Sequence, residues 1–144
     1  MADVPRGMKD LQGRDLARLE WMSRRIKHTF LRYGYSLAEP TLVEYFDTLA
    51  KKSGDAVKQE IYYFKDKGGR DLGLRFDLTV GMCRMVANNP HWQKPIRLAG
   101  LSSMWRYDRP GKGRNRWFYQ WDIEIFGVSS ADADAEILSV SIDI

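Results

Sequence analysis

A chain of 144 residues is the size of one ordinary domain and is long enough to bury a sizeable core. Hydrophobic residues make up 44% and charged residues 29%, a globular balance rather than that of a disordered or fibrous chain. The net charge of +4 suits phosphate-bearing ligands or nucleic acid without requiring either. The lone cysteine, Cys83, rules out a disulfide framework and a cysteine-based zinc site, and two histidines, His28 and His91, are too few for a metal cluster. No apolar run approaches the ~20 residues needed to span a bilayer, and residues 1–7 do not read as a signal peptide. The expectation is a cytoplasmic chain with no membrane partner.

Residues 2–13, with Pro5, Gly7 and Gly13, read as an extended lead-in. A helix is predicted over 15–33, because Leu16, Leu19, Met22, Ile26, Phe30 and Tyr33 recur at spacings of three and four and line one face. Arg18, Arg24, Arg25 and Lys27 lie off that stripe, His28 reads as a surface residue, and Gly34 suits a left-handed helix end. A short strand over 35–40 stops at Pro40. Residues 41–52, with Leu42, Val43, Tyr45, Phe46 and Leu49, read as a strand end running into a short helix.

Gly54 and Asp55 break the chain. Residues 61–64 are aromatic and strand-like, residues 66–70 form a turn, and residues 72–76 supply the partner strand. The Gly68-Gly69 pair lacks the spacing of a phosphate-binding loop, and a hairpin turn accounts for it. After Phe76 a helix is predicted over 79–87, with Asp77 placed to cap it and Asn88-Asn89-Pro90 closing it. Residues 95–104 form a buried-looking strand. Residues 129–144 begin a helix, with Asp132, Asp134 and Glu136 near its favourable end.

The most informative stretch is 105–127, two strands joined by a basic, glycine-containing loop. Trp117, Tyr119, Trp121, Ile123 and Ile125 fall on odd positions; Arg116, Gln120, Asp122 and Glu124 fall on even ones, with Phe118 the one apolar intruder. Strand side chains alternate between faces, so one face is apolar and the other charged. A turn centred near Lys112 places Arg106 across from Phe118, and Arg106, Gln120 and Glu124 then share a surface. Arg109, Lys112, Arg114 and Arg116 form a cationic lip. Such a hairpin can hold an anion beside a polar ligand. A half-exposed sheet with a solvated face has the same alternation.

The run Arg106-Tyr107-Asp108-Arg109-Pro110, then Lys112-Gly113-Arg114, then Phe118-Tyr119-Gln120 and Glu124, resembles motif 2 of class II aminoacyl-tRNA synthetases, and the histidyl enzymes above all. Residues 5–10 resemble the opening segment of their catalytic domain, residues 26–43 resemble motif 1, and motif 2 spans about 101–127. Leu74-Arg75-Phe76-Asp77-Leu78-Thr79 resembles the turn whose acidic residue and threonine hold the substrate's amino group. The resemblance implies an α+β fold, an antiparallel sheet flanked by helices. It also implies ATP-dependent activation of histidine and its transfer to tRNA(His).

On that resemblance Arg106 is the catalytic residue and contacts the ATP α-phosphate and the substrate carboxylate. Arg114 reaches the outer phosphates, and Phe118 is a candidate wall of the nucleotide pocket. Asp77, Thr79, Gln120 and Glu124, together with Arg106, hold histidine. Mg²⁺ is expected with the phosphates. Gly111, Asn115 and Trp117 depart from the family's commoner loop residues. Trp117 offers a stacking surface, while Trp92, Trp105 and Trp121 read as packing.

The resemblance covers nearly the whole chain but only the first half of such a catalytic domain. Motif 3, the histidine-specific segment and the anticodon-binding domain have no counterpart, so a fragment is expected, with an open sheet edge and homodimerisation through motif 1 as a way to cover it. The competing functions are a non-catalytic paralogue, such as the regulatory subunit of ATP phosphoribosyltransferase, and a nucleic-acid-binding module. The first tends to lose the substrate residues. The second has no use for the Gln120 and Glu124 pair.

Overall fold

Ten-residue strands with clean period-two alternation need a cover on each face, and the fold is built around that requirement. The computed structural model describes residues 3–144, the side chains of residues 52, 53 and 55 excepted. In chain order it contains α1 (Gly13–Arg32), β1 (Ser36–Leu37), β2 (Val43–Tyr45), α2 (Phe46–Ser53), a 3-10 turn (Asp55–Gln59), β3 (Tyr63–Lys65), β4 (Asp71–Leu74), α3 (Thr79–Ala87), β5 (Ile96–Trp105), β6 (Trp117–Phe126) and α4 (Ala131–Asp143). This is the expected α+β class.

The main sheet runs β1-β5-β6. β5 and β6 pair antiparallel over their full length, from Ile96 opposite Phe126 to Trp105 opposite Trp117. β1 joins β5 in parallel, so the sheet is mixed. The long excursion between β1 and β5, through the small sheet and α3, makes a parallel return possible. The second sheet runs β2-β4-β3, antiparallel throughout.

The odd positions of β5 and β6 face α1 and α4. Ala99, Leu101, Trp121, Ile123 and Ile125 pack there with Ile26, Phe30, Tyr35 and Val140. On the even face, Ile96, Leu98 and Met104 pack with Leu78 and Met82 of the α3 segment, joined by Phe118 and Phe126. Phe46, Leu49, Val57 and Ile61 form a third cluster beside the small sheet. Phe30 is fully buried, and burying a side chain of that size stabilises by roughly 1.5–3 kcal/mol.

Three sequence expectations need correction here. The first concerns α1, whose apolar stripe packs only in its C-terminal half. Leu16 is 39% and Met22 52% exposed, whereas Thr29 and Phe30 are buried. The sheet and α4 support that second half. The first half stands over a groove of about 390 Å³ walled by Leu11, Leu19, Trp117 and Tyr119. Gly34 follows α1 at φ +77°, the predicted left-handed stop.

The second correction is the hairpin register. Met104, not Arg106, lies opposite Phe118, and the Arg106 N–H donates to the Arg116 carbonyl at 3.0 Å. The tip closes between Gly111 and Arg114, with Gly113 at φ +76°. The first side of the loop is the longer one and contains Pro110, which has no N–H to donate to a ladder. The register is displaced by two residues, an even number, so every side chain keeps its predicted face.

The small strands also shift. β3 begins at Tyr63, leaving Ile61 in the core. β4 ends at Leu74, because Arg75 leaves the small ladder to bridge the sheets. Its carbonyl accepts from the Trp105 N–H at 3.1 Å and its own N–H donates to Leu42. Its buried guanidinium donates to the carbonyls of Ser103 and Pro40 and to Ser102 Oγ, and pairs with Glu39 at 2.6 Å. The lead-in docks on the hairpin: the N–H groups of Arg116 and Trp117 both donate to the Gly7 carbonyl. Gly7 has φ +82°, and a Cβ there would meet Arg116 Cγ at 2.8 Å.

Candidate active site

Three elements converge on the even face of the main sheet: the Phe76–Thr79 turn, the end of β5 and the middle of β6. The turn follows from local chemistry. Leu78 is fully buried and fixes the turn against the sheet, and α3 starts at Thr79 as predicted. Asp77 Oδ1 accepts from the Val80 N–H at 3.2 Å, one of the donors a helix start leaves unpaired. The capping reading of Asp77 therefore holds, and the residue also lines the cleft beside Arg106.

Arg106 stands just beyond the last pair of the β5–β6 ladder. Its Nε donates to the Phe76 carbonyl at 3.1 Å and its Nη2 to Gln120 Oε1 at 3.1 Å. Its guanidinium carbon lies 4.9 Å from the centroid of the Phe118 ring, a cation–π contact. The planar fork is thus fixed from three sides, with Nη1 left without a hydrogen-bond partner among the described residues. A cleft of about 310 Å³ opens beside it, walled by Glu60, Phe76, Asp77 and Asp108.

The network continues along β6. Gln120 Nε2 donates to Asp122 Oδ2 at 3.1 Å, and that same oxygen accepts from the Leu78 N–H at 3.3 Å. Thr79 Oγ1 donates to Glu124 Oε1 at 2.7 Å. The structure therefore brings Arg106, Phe118, Gln120, Glu124, Asp77 and Thr79 to one surface. Arg114 does not join them. It sits at the hairpin tip with its side chain 71% exposed, 3.8 Å from Asp108.

Asp122 belongs to this surface, and no role was predicted for it. The signal was present, since Asp122 shares the parity of Gln120 and Glu124. Burial pushes its carboxyl above the usual carboxylate range, and the nearby Asp77 charge adds to the rise. The Gln120 and Leu78 hydrogen bonds and the Arg106 charge oppose it. Asp77, Asp122 and Glu124 share this surface with the Arg106 guanidinium, so carboxyl groups outnumber it. That balance suits a ligand bringing its own positive charge and N–H donors, alongside an anionic group for Arg106. Among the described residues no group of three or more His, Cys, Asp or Glu side chains is placed to hold a metal ion. Nor, among the described residues, is any helix long and apolar enough to cross a membrane.

The chain is similar to known proteins over nearly its whole length. The curated histidine–tRNA ligase of Pyrobaculum islandicum is 46% identical over 136 residues, 94% of this chain and 32% of the relative. That of Methanocaldococcus jannaschii is 35% identical over 144 residues, 99% of this chain and 35% of the relative. The chain thus spans about a third of the length of these relatives.

Two solved structures share the fold. An ATP phosphoribosyltransferase regulatory subunit/histidyl-tRNA synthetase from Bacillus halodurans superposes with TM-score 0.86 at 27% identity, covering 99% of this chain and 37% of its own. The apo histidyl-tRNA synthetase of S. aureus gives TM-score 0.82 at 26% identity, covering 99% and 33%. The histidyl-tRNA synthetase family itself matches residues 7–144. Sequence, fold and relatives agree, and the chain belongs to the histidyl-tRNA synthetase family.

Proposed function

We propose that this chain supplies the histidine-binding and α-phosphate-binding half of a histidine–tRNA ligase site. The observation that carries the reading is the continuous network from Arg106 through Gln120 to Asp122, joined on the same face by the Thr79–Glu124 pair.

Activation joins a carboxylate to the α-phosphorus of ATP and expels pyrophosphate. The substrate carboxylate is itself the nucleophile, so the protein must hold two anions together and neutralise the charge that develops. Arg106 is suited to this, because its guanidinium is fixed before any ligand arrives and its fork can bond two oxygens at once. Asp77 and Thr79 hold the amino group. Gln120 and Glu124 hold the imidazole, and Phe118 supports Arg106 beside the nucleotide.

Arg114 acts from the exposed end of the hairpin, reaching the outer phosphates. Mg²⁺ accompanies ATP and takes its ligands from phosphate and water. In the whole protein the activated histidine passes to tRNA(His), in a cytoplasmic homodimer joined through motif 1.

The regulatory-paralogue reading draws on the name of the Bacillus halodurans neighbour. Retention of Arg106, Arg114, Gln120 and Glu124 favours the ligase. The test is calorimetric titration of histidine and other amino acids, followed by histidine-dependent ATP–pyrophosphate exchange. Selective histidine binding, lost in Glu124→Gln, is expected. Equal binding of lysine or threonine, or no histidine binding at millimolar concentration, would sink the reading.

A further inference from the structure

Five groups of the site close into a ring: the Phe76 carbonyl accepts from Arg106 Nε, Arg106 Nη2 donates to Gln120 Oε1, Gln120 Nε2 donates to Asp122 Oδ2, and that oxygen also accepts from the Leu78 N–H. The backbone from Phe76 to Leu78 completes the circuit. The ring joins the turn before α3 to the middle of β6, which share no strand pairing.

Gln120 is the soft link in this ring. The terminal torsion of a glutamine is broad and nearly two-fold, so its oxygen and nitrogen exchange places at little cost. One of those orientations is useless to Arg106, because a guanidinium only donates and would meet the amide nitrogen donor against donor. Arg106 alone selects the other orientation but does not hold the amide at its far end. Asp122 does. An ionised carboxylate only accepts, so it takes Nε2 and leaves the amide oxygen to Arg106. The Leu78 N–H, 3.3 Å away, anchors the Asp122 oxygen in turn. A capping role accounts for less, since Asp77 already accepts from the Val80 N–H at this helix start and capping leaves the Gln120 bond unexplained.

We propose that Asp122 is a positioning residue for Arg106, acting through the Gln120 amide. Its effect is to present the Arg106 fork at a fixed angle to an incoming anionic group. The proposal rests on the ligase reading only for the identity of that group, a substrate carboxylate. Both Asp122 bonds use the one oxygen, Oδ2, so an asparagine with its oxygen in that place serves equally and an alanine does not.

The experiment is NMR exchange spectroscopy of isotope-labelled arginine guanidinium groups in the ligand-free chain, each signal assigned by its loss in the Arg→Lys variant. Rotation about the Nε–Cζ bond exchanges Nη1 and Nη2, and it is slow only while an Nη is held. Arg106 should rotate at least about fivefold more slowly than the exposed Arg114. Asp122→Ala should speed that rotation at least about fivefold, and Asp122→Asn should leave it within about twofold of wild type. Gln120→Met should free Arg106 as Asp122→Ala does, and the double variant should free it no further. Arg84 and Arg97, held by Glu44 and Glu136, are internal controls and should change by less than about twofold in every variant. Calorimetry on the same proteins should show histidine binding at least about fivefold weaker in Asp122→Ala and within about twofold of wild type in Asp122→Asn.

The proposal is overturned if Arg106 rotates as freely as Arg114 in wild type, if Asp122→Ala leaves it slow, or if Asp122→Asn fails to keep it so. It is equally overturned if Arg84 and Arg97 loosen together with Arg106, as a purely structural role requires, or if histidine affinity survives a freed Arg106. Absence of histidine binding in wild type sinks the ligase reading instead, and the rotation rates then decide the positioning role alone.

Discussion

The face of the β5–β6 sheet that carries Gln120, Asp122 and Glu124 lies under the α3 segment, while the opposite face, with Leu101, Trp121 and Ile123, is covered by α1 and α4. One ladder of hydrogen bonds serves both. The odd face is an apolar interior that stabilises the fold. On the even face β6 carries Phe118 and Phe126 at its ends and the half-buried Gln120, Asp122 and Glu124 between them. Burying charge without full compensation costs stability. The comparison shows a division of labour, in which close packing on one side supports an electrostatically costly surface on the other.

The sharpest way to break that arrangement is to damage the support. Phe30→Ala empties a fully buried position on the apolar face and is expected to cost about 3–5 kcal/mol in a urea melt. In a domain of this size that removes much of the stability. Arg106→Ala makes the opposite cut. Histidine-dependent exchange in any active form should fall by about 10²–10³-fold, with a melting temperature close to wild type. Near wild-type exchange would show that the role given to Arg106 is wrong.

The two faces should also respond to pH with opposite signs. Asp122 is raised by burial, so the native state binds its proton more tightly than the unfolded chain does. That contribution is complete below the ordinary aspartate value and is lost as pH rises through the raised one. Asp122→Asn retains acceptors for the Leu78 and Gln120 donors and removes the charge. Its melting temperature should exceed wild type at neutral pH, and the gap should close on acidification below the ordinary aspartate value. A gap independent of pH would remove burial as the cause.

On the other face Glu136 pairs with Arg97 at 2.7 Å and is held below the ordinary glutamate value by that bond. Its contribution is present above that value and fades as pH falls. Because both partners are partly exposed, Glu136→Gln should cost no more than about 1 kcal/mol near neutrality and nothing in acid. Thermal melts at both pH values check this smallest effect.

These contrasts were partly legible in the sequence. Strand parity sorted Gln120, Asp122 and Glu124 from Trp121, Ile123 and Ile125, because a period of two survives any even error in register. The α3 boundaries were readable because Asp77 and the Asn88-Asn89-Pro90 run punctuate them. The reach of the sheet under α1 was not readable. Leu16 and Met22 fit the helical period as well as Phe30 does, and periodicity records which side of a helix is apolar without recording how far its partner extends. Arg75 was hidden for a related reason: it occupies a strand-like run, and its partners at Pro40, Ser102 and Ser103 are distant in sequence. Arg114 is placed by resemblance at the phosphates, and its exposed position lies in a loop that strand parity does not describe.

The hairpin register has a consequence for how this chain tolerates change in length. Within β6, adding or deleting a pair of residues upstream of Gln120 slides the site along the sheet but leaves it on the same side. A single insertion there turns the surface inside out, delivering Gln120, Asp122 and Glu124 to the helices and Trp121 and Ile123 to the ligand. Between Tyr107 and Asn115 no such frame applies, because those residues lie outside the ladder. The hairpin therefore carries a two-letter reading frame in its strand and free spacing in its loop. Length variation should collect in the loop, and the strand should accept it only in even steps.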